Sequence, residues 1–289
     1  MPKTDPIAFF KQSLKSDAYY ADELINIYLL RPIAAIVVWV LYPTSITPNQ
    51  VTLMALLLGL SSAYAFFIGT PAALVAAGIL IIAKDIFDDA DGQLARAKQL
   101  YSRRGRFLDS IGDFIVDAAV FTAITYTVYR IHSQFEIILL GILSLIGITL
   151  RVSYHVFYQV SFLHLEQQYA FNRITEEITD EDRRGDRIAL RLQQIFIVIY
   201  AWQDRMMWHI DRWCRGKKFN EQLLPAWYSD RLALRFSGLM GFGTELTILG
   251  ICSMLNRLHL YLVINVLLLN TIWLINILYR KFILAPNLK

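Results

Sequence analysis

The feature that most constrains this chain is a series of apolar stretches, each about as long as a bilayer is thick. A helix crossing the hydrocarbon core needs roughly 20 mostly apolar residues, and six stretches qualify, at 49–69, 71–97, 105–131, 135–163, 236–256 and 258–282. Across 289 residues the chain is 56% hydrophobic and 18% charged, an apolar share above that of ordinary soluble domains. The expected fold is therefore an all-α integral membrane protein with six transmembrane helices preceded by an amphipathic interfacial helix. That leading segment, Ile25 to Pro43, is apolar but carries Arg31 and Pro32. It reads as a helix lying along the interface, with a seventh span as the alternative.

Four regions follow: a tail and interfacial helix at 1–47, a four-span half at 48–163, a connection at 164–235, and the last two spans with a tail at 236–289. The first residues lack a basic start, apolar core and small-residue cleavage site, so no signal peptide is expected. Cys214 and Cys252 have no metal-ligand spacing. The net charge of +4 is met by an anionic membrane surface and calls for no nucleic acid. Lys98, Arg103, Arg104, Arg106 and the arginines of 164–235 all fall on one side of a six-span path. The positive-inside bias makes that side, with both termini, cytoplasmic. Within 164–235, a charged stretch at 176–187 precedes an apolar run from Ile195 to Trp202 that is too short to span. Trp202, Trp208 and Trp213 suggest a helix at headgroup level, and a cytosolic helix capping a site is the alternative.

Seven aspartates lie between residues 85 and 117, at the facing ends of two spans. A charge inside a bilayer costs at least ~2.5–3.5 kcal/mol, so such a cluster is a functional-site hypothesis. Residues three and four apart share a helix face, which pairs Asp88 with Asp91 and Asp109 with Asp113. Antiparallel helices joined by the basic loop bring the pairs together. An all-oxygen set of that charge suits Mg²⁺ or Mn²⁺, and two ions would neutralise it. Gly92 and Ala95 on the same stripe open a slot, and Arg96 can pair with a phosphate. The plain alternatives are an ion-pair network with Arg96, Arg103 or Arg106, and small residues serving only helix packing.

The segment Asp88-Asp-Ala-Asp91-Gly92-Gln-Leu-Ala95-Arg96, then Gly105, Asp109 and Asp113, resembles the CDP-alcohol phosphotransferase signature at every fixed position. Pro48-Asn49-Gln50-Val51-Thr52 is similar to a second element of that family. The resemblance covers about 25–163 closely. It implies a CDP-linked donor, an alcohol acceptor and release of CMP. Asp88, Asp91 and Asp109 would be metal ligands, with Asp113 both ligand and catalytic base. Asn49, Thr52, Gly92, Arg96 and Ser102 would contact the donor, beside the signature's Ala95 and Gly105. Family members commonly form homodimers, and the same is an open expectation here. Asn49 merely capping its helix is the alternative for that residue. Arg151 and His155, four apart in the fourth span, are candidates for an anionic acceptor, against a snorkelling base beside a core histidine. CDP-diacylglycerol is the favoured donor and a soluble CDP-alcohol the alternative. A divalent-cation transporter and a non-catalytic lipid-binding protein are the rivals from other classes.

Overall fold

A computed structural model describes residues 20–165 and 176–288, and these are helical with no strand among them. The first nineteen residues, where the signal-peptide reading falls, lie outside this range. The helices are α1 (Asn26–Leu41), α2 (Pro48–Ile68), α3 (Pro71–Lys98), α4 (Arg103–His132), α5 (Glu136–Leu165), α6 (Asp180–Arg184), α7 (Arg187–Arg215), α8 (Leu224–Tyr228), α9 (Arg231–Gly238), α10 (Phe242–Met254) and the composite α11 (Leu258–Asn287).

Four segments are long and apolar enough to cross a membrane: α2, α5, α9 with α10 (Arg231–Met254), and α11. α3 and α4 have 28 and 30 residues, ample length at 1.5 Å per residue. Their aspartates and basic residues keep them out of the apolar set, so the feature that marks a site also weakens the span signal. α1 is a shorter apolar helix, about 24 Å long, and that length argues against a seventh span. It packs against α3 through Ala34, Val38, Ala90 and Leu94.

Local chemistry fixes the ends of the helices that matter. Thr47 precedes Pro48, and Gln50 Oε1 accepts from the Thr47 amide at 2.8 Å, so the cap of α2 is built without Asn49. α2 ends at Gly69, whose φ of 71° suits a residue without Cβ. Thr70 then caps α3 and Pro71 takes its first position. Ser102 caps α4 by accepting from the Gly105 amide at 3.1 Å.

α2 packs against both α3 and α4, and the core between them contains Phe66, Ile81, Val116, Val120 and Ile124, all fully buried or nearly so. On its other side α3 meets α10, where a Cβ on Gly78 would stand 2.5 Å from the Gly250 carbonyl oxygen. Such small-residue contact is how membrane helices come close. α11 contains two π-helical turns, Ile264–Leu269 and Arg280–Leu284, and the buried Asn265 and Arg280 sit in them.

α7 is a single amphipathic helix of 29 residues with Trp202, Trp208 and Trp213 exposed. It also leans on α4: the Tyr200 hydroxyl donates to the Ser110 carbonyl at 2.7 Å, and Phe196 lies 5.4 Å from Phe107, centroid to centroid. The charged segment before it binds the basic loop. Arg106 donates to Glu176 at 2.9 Å, Arg103 pairs with Asp182 and Arg104 with Asp186. The Arg103 hydrogen bond, helped by the Thr179 amide, holds the Asp182 carboxyl well below the usual carboxylate range.

Candidate active site

α3 and α4 present their aspartates to one another where α2 touches both. Asp88, Asp91 and Asp109, each half-buried, have carboxylate oxygens that all lie within 4.8 Å of one another. Asp91 is aimed by the Thr52 hydroxyl of α2, which donates to it. Asp109 Oδ1 is buried with no hydrogen-bond partner. Unspent carboxylate oxygens at that spacing fit a hard divalent cation.

Asp113 is placed differently from the other three. Its Oδ1 is taken by the Lys84 ammonium, which also stands 3.6 Å from Asp88 Oδ2. Lys84 is only 1% exposed. Three of the four signature carboxylates lie within mutual reach, and the fourth, Asp113, lines the same cleft while engaged by a lysine. Lys84 is the residue the sequence reading missed. Its signal was a lone cation inside an apolar run, one turn before the first signature aspartate.

The donor candidates cluster at the same end. A Cβ on Gly92 would meet only an Arg96 nitrogen, at 3.5 Å, so the slot is open with the guanidinium folded over it. Half-buried Ala95 continues this stripe, and Arg96 Nε is buried without a partner. Asn49 is exposed and leans on α4: a Cβ on Gly105 would stand 2.4 Å from its Oδ1. Ser102 spends its hydroxyl on the cap of α4 and faces the 181–193 segment across a separate cavity. A narrow cleft, with room for about one water molecule, is lined by Lys84, Asp88, Asp109 and Asp113 and flanked by Leu53 and Leu56 of α2 and Leu108 of α4.

Arg151 and His155 lie elsewhere. Arg151 is fully buried, donates through Nε to Glu245 at 2.7 Å, and also bonds the Asn265 carbonyl and Asn270. His155 Nδ1 lies 3.3 Å from the Ser237 hydroxyl. This placement gives Arg151 a structural part, joining α5 to α10 and α11, in place of the open guanidinium an acceptor site would need.

Carboxylates gathered at the ends of two membrane-length helices, with a guanidinium over a glycine slot, define a helical protein with apolar helices long enough to cross a membrane and an aspartate cluster that could hold a metal ion. Residues 45–215 match the model of the CDP-alcohol phosphatidyltransferase family, and the chain belongs to that family. It is 35% identical over 99 residues to the bifunctional IPC transferase and DIPP synthase of Thermococcus kodakarensis, covering 34% of this chain and 22% of that protein. It is 39% identical over 75 residues to the archaetidylinositol phosphate synthase of Pyrococcus horikoshii, covering 26% of this chain and 38% of that one. The matched region therefore spans well under half the length of either relative.

Proposed function

We propose that this protein is a membrane-embedded transferase that moves a phosphatidyl or phospho-alcohol group from a CDP-linked donor to an acceptor hydroxyl, releasing CMP in phospholipid synthesis. The observation that carries this reading is the cleft that joins the signature carboxylates to the leucines of α2 and α4. Leu53, Leu56 and Leu108 beside the aspartates offer an apolar margin to an acyl tail, which favours a lipid-linked donor such as CDP-diacylglycerol over a soluble CDP-alcohol.

The roles are those the resemblance implies, and the chain's own atoms support them. Gly92 and Ala95 leave room for cytidine, and Arg96 supplies an unpaired N–H for a phosphate. Asn49 and Gly105 fix the approach of α2 to α4 at the nucleotide end. Asp113 receives the proton of the acceptor hydroxyl as its oxygen bonds to the phosphorus distal to cytidine and the bond to CMP breaks. Asp88, Asp91 and Asp109 would hold Mg²⁺ or Mn²⁺, which when bound screens the pyrophosphate charge and stabilises the leaving CMP. The name of the Pyrococcus relative suggests an inositol phosphate as the first acceptor to offer.

The reading includes six spans, with α3 and α4 crossing as well, α1 along the interface, the site and both termini facing the cytoplasm, and a homodimer. The test is CMP release by the lipid-reconstituted protein with Mg²⁺ or Mn²⁺. CDP-diacylglycerol and soluble CDP-alcohols are offered against inositol phosphate and other polyol phosphates, with Asp113→Asn as control. Release that needs one donor, one acceptor, the metal and Asp113 is the expected result. Absence of both release and CDP binding would sink the proposal.

A further inference from the structure

The charge of four signature aspartates calls for two divalent ions, but the side chains are arranged for one ion and one ammonium. Among the described residues, only Asp88, Asp91 and Asp109 bring three carboxylate oxygens within mutual reach. The remaining edge of the cluster, between Asp88 and Asp113, is occupied by Lys84 Nζ. An ion bridging those two aspartates would have to share that edge with the ammonium, whose charge opposes it.

Lys84 has no easy retreat from this position. Its side chain is 1% exposed, and an ammonium buried without a counter-charge is strongly disfavoured. The Phe242 ring of α10 faces it, with Nζ 4.5 Å from the centroid, a second feature built to receive a cation. Two carboxylates on one side and an aromatic face on the other make a complete ammonium site, supplied by three helices.

We infer that Lys84 replaces the second metal of this centre: one divalent ion sits on Asp88, Asp91 and Asp109, while the ammonium bridges Asp88 and Asp113. The inference rests on reading the cluster as the divalent-ion centre of a CDP-dependent transferase. Lys84 acts here as a positioning residue. It fixes one oxygen of Asp113 and leaves the other to face the acceptor hydroxyl.

The experiment counts bound ions, using Mn²⁺ alone as the probe. The full chain in lipid nanodiscs is titrated with Mn²⁺ and followed by electron paramagnetic resonance, which measures both occupancy and coupling between ions. The expected wild-type result is saturation at one uncoupled Mn²⁺ per chain. Lys84→Met should admit a second ion, with the spin coupling of a pair about 3.5–4 Å apart, and Lys84→Arg should stay at one. Two coupled ions in the wild type overturn the inference, as does Lys84→Met holding at one ion. Should Lys84→Met fail to fold, the wild-type and Lys84→Arg counts decide. Two coupled ions in wild-type protein that still releases CMP sink the role of Lys84 and leave the transferase reading intact. One ion in a protein that releases no CMP from any donor does the reverse.

Discussion

The aspartates of α3 and α4 and the Arg151–Glu245 pair of α5 and α10 are both charged clusters inside long helices, and they differ in whether their atoms are spent. Glu245 accepts from Arg151 on one oxygen and from Asn265, at 2.9 Å, and Tyr261, at 3.4 Å, on the other. Every nitrogen of the Arg151 guanidinium has a protein acceptor. At the aspartates, Asp109 Oδ1 and the nearby Arg96 Nε are buried without partners. A buried charge whose hydrogen bonds are complete holds helices together, whereas one left incomplete is prepared for something that arrives later.

That distinction is open to test, beginning with the largest effect. Asp113→Asn should cut CMP release by roughly 10²–10⁴-fold, the range for a general base, in protein that stays folded because Asp88 still faces the Lys84 ammonium. Arg151→Met should do the opposite. Breaking a buried pair costs about 3–5 kcal/mol, read as a large drop in melting temperature in detergent, while the protein that stays folded keeps its turnover. Adding Glu245→Leu should recover most of the loss. If Arg151→Met abolished turnover with the melting temperature unchanged, Arg151 would return to the acceptor site and the comparison would fail.

A smaller effect is expected where α2 meets α4. Gly105→Ala drives a methyl toward Asn49 Oδ1, an overpacking worth about 1–3 kcal/mol. Asn49→Ala added to it should restore stability without restoring donor affinity, measured as the KM for the CDP donor. Smallest is the Arg103–Asp182 contact at the surface. Because the folded pKa of Asp182 is depressed, its contribution is complete above the ordinary carboxylate value, about 3.9, and is lost as pH falls through the depressed one. Arg103→Gln should therefore cost no more than about 1 kcal/mol near neutrality, with the difference from wild type fading only in strong acid.

Much of this was legible in the chain because it is local. Helix lengths follow from apolar runs, and the spacing of Asp88, Asp91, Asp109 and Asp113 follows from the period of the helix. The resemblance then attached roles to those positions. What stayed hidden is what distant segments do to each other. Lys84 meets Asp113 across 29 residues and Thr52 meets Asp91 across 39. No period relates such pairs, so neither contact is legible in the sequence. Arg151 and Glu245 are separated by 94 residues, and nothing in either neighbourhood announces the partner. The charged stretch at 176–187 was likewise visible, while its pairing with Arg103, Arg104 and Arg106 required the fold.

The leucines beside the aspartates have a kinetic consequence. For the lipid-linked donor proposed above, entry beside Leu53 and Leu108 would make concentration a two-dimensional quantity, the donor reaching the carboxylates by diffusing within its own leaflet. Turnover should then follow the donor's mole fraction in the bilayer. Adding inert phospholipid at constant total donor should slow the reaction, although the bulk molarity of every reactant is unchanged.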